Sequence, residues 1–153
     1  MENIMRISDY LEEDFIIDLQ SDTKKGALEE LLEVICRSPK ITNPVKFRKA
    51  IFNREKLMST GIGYHLAVPH ARDKCVLDFV IAIGRSKVGI EYESIDDKPV
   101  KLVIMIGAPD KQDKDYIKLL SRLVLRLKNP DFKHLILSAA NAKEIYDIIQ
   151  QKK

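Results

Sequence analysis

The sequence predicts an α/β protein with a three-layer α/β/α architecture, a mixed sheet of about five strands flanked by helices. Three observations carry that expectation. The runs 79–84 and 100–106 are apolar at odd and even positions alike, as strands covered on both faces must be. Apolar residues at helical 3/4 spacing recur on either side of these runs, over 27–35 and 117–127. The strands cluster in mid-chain instead of alternating strictly with helices, which calls for mixed rather than purely parallel pairing.

Taken in order, residues 8–11 suggest a short helical turn and 15–19 a short strand. Asp22 stands where an N-cap belongs, and Ala27, Leu28, Leu31, Leu32, Val34 and Ile35 form the buried stripe of the helix that follows. Ser38-Pro39 stops it. Asn43-Pro44 opens a second helix, with Asn as cap and Pro at the first helical position. Residues 90–92 alternate and predict a more exposed strand, while 96–99 turn the chain into the buried run 100–106. A strongly amphipathic helix through Ile117, Leu120, Leu123, Val124 and Leu127 is stopped by Asn129-Pro130. A shorter helix through Phe132, Leu135 and Ile136 follows. Asn141 and Glu144 form a capping box for the last helix.

A chain of 153 residues suits one domain, expected to span 1–153, and can bury a sufficient core without disulfides or metal. A net charge of +3, with basic and acidic residues interspersed, argues against nucleic-acid binding, which needs a basic face. Cys36 and Cys75 have neither pairing nor metal-ligand spacing, and read as free thiols of a reducing cytoplasm. Residues 1–6 do not read as a signal peptide, and no apolar stretch is long enough for a membrane span. A cytoplasmic location, no membrane insertion and no cofactor are the resulting expectations.

The segment 59–72 looks chemical rather than structural. It holds Gly61, Gly63, Pro69 and two of the three histidines, His65 and His70. Pro69 fixes its own φ and pushes Val68 into extended backbone, so the imidazole of His70 is presented from a rigid strand end. A neutral histidine can attack phosphorus with its free lone pair, without a separate base. Gly61 and Gly63 allow close backbone approach, so their N–H groups are candidates for an anion cradle. Arg54 can set a guanidinium fork against phosphoryl oxygens. The same residues also fit a blander account, in which Pro-His lies in a loop, the glycines close a tight hairpin and Arg54 sits on a solvated helix face. A metal site is not expected, because five extended steps separate His65 from His70 by roughly 17 Å. His134 reads as an exposed helical residue.

Arg54-Glu55, the run 60–63 and the run 66–71, Leu-Ala-Val-Pro-His-Ala, together resemble the signature of type-2 enzyme IIA domains. These form the fructose–mannitol–nitrogen branch of the bacterial phosphotransferase system. The likeness extends through 94–100 and covers 7–149, and the run 54–63 resembles the nitrogen-related members most. The resemblance implies that His70 accepts a phosphoryl group from HPr or its nitrogen-branch counterpart. It then passes the group to a cysteine of an enzyme IIB, or holds it as a mark read by regulatory target proteins. Arg54 matches the arginine that supports the phosphoryl group. Two positions depart from the family pattern. His65 stands where members usually carry glycine, and Tyr116 stands where a second active-site histidine is usual. His65 or Tyr116 is therefore expected to replace the missing partner. Transport carrier and regulatory binding module both remain open at this level, as does a relative that has lost transfer.

Overall fold

A glycine and an arginine side by side in one strand define the two faces of the sheet. The computed structural model describes residues 7–150 except 112, so the expectation about residues 1–6 lies outside the described residues. The strands are β1 (Leu11–Asp18), β2 (Gly61–Gly63), β3 (Leu66–Ala67), β4 (His70–Arg72), β5 (Val80–Ile90) and β6 (Val100–Ala108). The helices are α1 (Lys24–Ile35), α2 (Pro44–Leu57), α3 (Asp113–Lys128), α4 (Pro130–Ser138) and α5 (Ala142–Gln150).

The sheet runs β1-β5-β6-β3-β2, with β4 also on β6. Pairing is mixed, as expected: β5 and β6 are antiparallel, while β1 lies parallel to β5, and β3 and β4 lie parallel to β6. Gly107 of β6 presents its bare Cα to Phe47 of α2, a ring too close for a side chain there. Both Arg48 terminal nitrogens donate to Glu29, which ties α2 to α1 in one helical layer. Val80 of β5 pairs with Gly107, so Gly84 shares that face while its neighbour Arg85 lies on the opposite one and reaches the last carbonyls of α4. Helices α3, α4 and α5 pack together as the second layer, α5 also lying against β1. Strand β6 is buried along almost its whole length, which accounts for its unbroken apolar run.

Several boundaries move. The cap of α1 is Thr23, whose hydroxyl accepts from Gly26 N, and not Asp22. Its helix ends at Ile35, before Ser38-Pro39. The expected strands at 79–84 and 90–92 merge into one eleven-residue strand ending at Ile90. Tyr92 is buried, not exposed, because its ring lies under Lys24 and its hydroxyl enters a buried network. The sheet has six strands where about five were expected, since the segment through His70 contributes two short ones. The cap chemistry at Asn43 and Asn141 is as expected, each side chain accepting from a backbone N–H of the first turn, and Asn129, expected only to stop α3, also caps α4 in this way.

Candidate phosphoryl-transfer site

Strands β3 and β4 are one extended run broken by a proline. Ala67 stands opposite Val103 and His70 opposite Ile106, the same offset of 36 in both cases (103 − 67 and 106 − 70). Pro69 has no N–H to offer the ladder, but its carbonyl accepts from Ile106 N at 2.9 Å. Val68 N donates instead to Thr60 O at 3.0 Å, and Val68 O faces the ring of His70.

The His70 Nδ1 lies 2.6 Å from that carbonyl. A carbonyl only accepts, so Nδ1 carries the proton and, in the neutral ring, the lone pair is on Nε2. Burial holds the His70 pKa below its usual 6.5, and the charges of Arg54 and Arg72 act in the same direction. The Val68 bond and Glu55 oppose that shift without reversing it. The imidazole is thus neutral near pH 7 with its nucleophilic nitrogen defined.

His70 lines a cleft of about 520 Å³ together with Ala50, Asn53, Arg54, Leu57, Ala71, Arg72 and Tyr116. Arg54 extends from the last turn of α2, where its Nη1 donates to Met58 O at 2.7 Å and so also satisfies a helix-end carbonyl. The ring of Tyr116, from the first turns of α3, lies 5.9 Å from that of His70. Burial raises the Tyr116 phenol above its ordinary pKa, so it is a neutral hydroxyl here. A second, mostly apolar depression of about 590 Å³ shares Arg54 and His70 and continues over Met58, Ile62, Ile95, Leu120 and Val124.

Beneath the site is a buried polar knot. The Glu55 carboxylate accepts from Thr60 N at 3.2 Å, from the Thr60 hydroxyl and from Tyr92 OH at 3.2 Å, and pairs with Lys24 Nζ at 2.9 Å. Burial and the Glu55 charge push the Tyr92 phenol far upward, so it stays a donor. Because Thr60 O holds Val68 and Val68 O holds His70, the knot anchors the His70 ring to α2 through a chain of hydrogen bonds.

The structure brings His70, Arg54 and Tyr116 together and leaves His65 out. His65 and Tyr64 both have positive φ, +62° and +59°, and are the two central residues of a type I′ turn between β2 and β3. That turn favours glycine at its second position, and His65 is held there by a 2.8 Å bond from ring to Pro99 O. Its carbonyl accepts from Lys101 N and Leu102 N, whereas His70 faces Ile106, so the two histidines sit roughly 17 Å apart along the strand. His65→Gly is therefore expected to leave phosphorylation at His70 unchanged. A measured loss of rate in that variant with the fold intact would contradict the assignment.

The anion cradle of Gly61 and Gly63 is also corrected. Gly61 N donates to Ser59 Oγ at 3.1 Å and Gly63 N to Ser94 Oγ at 3.2 Å, so neither N–H is available to a phosphate. Gly61 is required because a Cβ would lie 2.9 Å from Ser94 Cα, and Gly63 because its φ is +89°. The tight-hairpin account of the two glycines is the one that the geometry supports. Sequence reasoning missed Arg72, although its position two residues after His70 on a strand puts both on one face. Glu55 and Tyr92 were missed because nothing in their local pattern signals a shared buried knot.

With this geometry in hand, the relatives are decisive. Residues 10–152 match the family described as phosphoenolpyruvate-dependent sugar phosphotransferase system, EIIA 2. The chain belongs to that family. It is 36% identical over 148 residues to a fructose-specific EIIABC component of Bacillus subtilis, covering 96% of this chain but only 23% of that protein. It is 31% identical to a fructose-specific EIIA component of Haloferax volcanii, with 84% of each chain covered. The crystal structure of nitrogen regulatory protein IIA-Ntr from Neisseria meningitidis superposes with a TM-score of 0.87 at 26% identity, covering 94% of this chain and 99% of that one. As an EIIA component the protein is of the phosphotransferase class, with a phosphocarrier or regulatory role. Among the described residues no helix is long and apolar enough to cross a membrane.

Proposed function

We propose that the chain, as one type-2 IIA domain over 1–153, is a cytoplasmic phosphohistidine carrier whose acceptor atom is Nε2 of His70. The observation that carries this reading is the Nδ1–H bond to Val68 O, which leaves the Nε2 lone pair free at the cleft that His70 shares with Arg54. The donor is the phosphohistidine of HPr or of its nitrogen-branch counterpart. The lone pair of Nε2 forms the new N–P bond as the donor's N–P bond breaks, and the electron pair returns to the donor ring. Each ring keeps its other nitrogen's proton, so no proton changes hands. In the onward step a thiolate of an enzyme IIB forms an S–P bond, the N–P bond at His70 breaks, and its electron pair returns to Nε2. Arg54 lowers the cost of the charge gathered on the phosphoryl oxygens in both directions.

The likeness to a nitrogen regulatory IIA supports a second reading, in which the phosphoryl group is a mark. A phosphoryl group adds nearly two negative charges at a surface and so can make or break contacts with regulatory targets.

Incubation with labelled phosphoenolpyruvate, enzyme I and either HPr-type carrier tests both readings. Acid-labile label mapped to His70, and chased to a IIB cysteine, is the result expected of a transport carrier. Label that no IIB discharges favours the regulatory mark. Absence of label with both carriers would overturn the acceptor assignment.

A further inference from the structure

We propose that Arg72, laid against the ring of Tyr116, is a second cationic arm that contacts the phosphoryl oxygens on His70 opposite Arg54. The inference rests on the acceptor reading above and extends it to a residue with no assigned role. Three observations converge on it. His70 and Arg72 are two apart on β4, so their side chains leave the strand on the same face, and both line the same cleft. The Arg72 guanidinium carbon stands 5.2 Å from the Tyr116 ring centroid, within cation–π range, and the same ring stands 5.9 Å from His70. Among the described residues, those lining the cleft contribute two arginines, an asparagine and a neutral imidazole, and no carboxylate.

A cleft of that composition suits a dianion. The Arg54 guanidinium spends one nitrogen on Met58 O, so a phosphoryl group with three oxygens has room for a second fork. Tyr116 acts in this account through its ring face, as a platform that fixes the direction of Arg72. It is a positioning residue, and its hydroxyl is not required. The shift of the His70 pKa supports the placement, since Arg72 and Arg54 both disfavour the imidazolium there while Glu55 favours it.

The test measures the initial rate of His70 phosphorylation with two donors, the phosphorylated carrier protein and phosphoramidate. The second is a small N–P compound whose P–N bond breaks as ammonia leaves. Arg72→Ala is expected to slow both reactions on the order of 10- to 100-fold, the worth of one charge-assisted hydrogen bond. Arg72→Lys should recover part of the loss. Tyr116→Leu should slow both reactions, Tyr116→Phe, which keeps the ring, should slow them less, and the double variant Arg72→Ala/Tyr116→Leu should be no slower than Arg72→Ala. Titration of His70 by NMR should show its pKa rising in Arg72→Ala, a readout that does not need a donor. Wild-type rates in Arg72→Ala overturn the proposal, as does slowing confined to the protein donor, which would make Arg72 a docking contact. Slowing by Tyr116→Phe equal to that by Tyr116→Leu overturns the role of the ring. If wild type accepts from neither donor, the acceptor reading itself fails, and the NMR titration separates the two failures.

Discussion

His70→Gln is expected to abolish phosphoryl acceptance while the protein stays folded. Glutamine keeps a polar side chain at a half-buried position but has no basic ring nitrogen, so no nucleophile of the right kind remains. Loss of a covalent nucleophile costs on the order of 10³-fold or more in rate. The cost to stability is about 1 kcal/mol, that of one hydrogen bond to Val68 O. Retention of label in this variant, mapped to any other residue, would refute the assignment. A pH dependence follows from the same geometry. Burial holds the folded-state pKa of His70 below 6.5, so the acceptance rate should be flat above that pH and fall as pH drops through the folded-state value. Stability follows the same sign. Between the two pKa values the unfolded chain binds more protons than the folded one, so stability rises with pH across that window. The contribution of His70 is complete above about 6.5, where the unfolded ring loses its proton, and is lost on acidification through the folded-state value. Thermal unfolding from pH 5 to 8 should show this slope in wild type and a reduced one in His70→Gln. Identical slopes would mean that the ring is not desolvated as described.

Arg85→Met is expected to destabilise the fold more than any surface change. Arg85 is 1% exposed, and its Nε and Nη1 both donate to protein acceptors. Nε donates to Asp18 Oδ1 at 2.7 Å, and Nη1 to Ile136 O at 3.0 Å and Ala139 O at 2.6 Å. Both carbonyls lie at the end of α4, where Ile136 O also accepts from the backbone N–H of Ala139. Methionine fills similar volume but takes the charged donor away from the buried carbonyls of α4, which at about 1–3 kcal/mol for each acceptor comes to about 3 kcal/mol. For a chain of this size that is a fall in Tm of roughly 10 °C. Urea unfolding should show a lower midpoint with an unchanged slope. A loss under about 1 kcal/mol, the size of a surface ion pair, would show that the cluster contributes little. Asp18→Asn should cost less, because the Asp18 carboxylate is half-exposed and water can replace its partner.

These two residues differ in how far the sequence announced them. Pro69-His70 was legible because proline's effect is covalent and local: it stiffens its neighbour whatever the rest of the chain does. The Asn-Pro start at 43–44 was legible for the same reason, a cap being satisfied by its own next turn. Arg85 carried the opposite signal. The expected strand stopped at Gly84, yet β5 continues through Arg85 to Ile90, with α4 supplying acceptors for the buried guanidinium.

The segment from Gly61 to Arg72 shows both sides. By itself the sequence determined that an imidazole would be held rigidly after a proline, beside an apolar run that must be buried, with an arginine upstream to serve it. Which histidine that arginine serves was a tertiary matter. Positive φ at Tyr64 and His65 turns the chain into a hairpin, and pairing with β6 then places His65 and His70 at separate points along one strand. Tertiary structure also decided that the glycine N–H groups belong to serines, and that Arg72 lies on Tyr116 beside His70. The reason is common to all three. Backbone restriction acts between neighbours and can be read from them, whereas a hydrogen-bond partner or a charge's neighbour is set by which distant elements the sheet brings together.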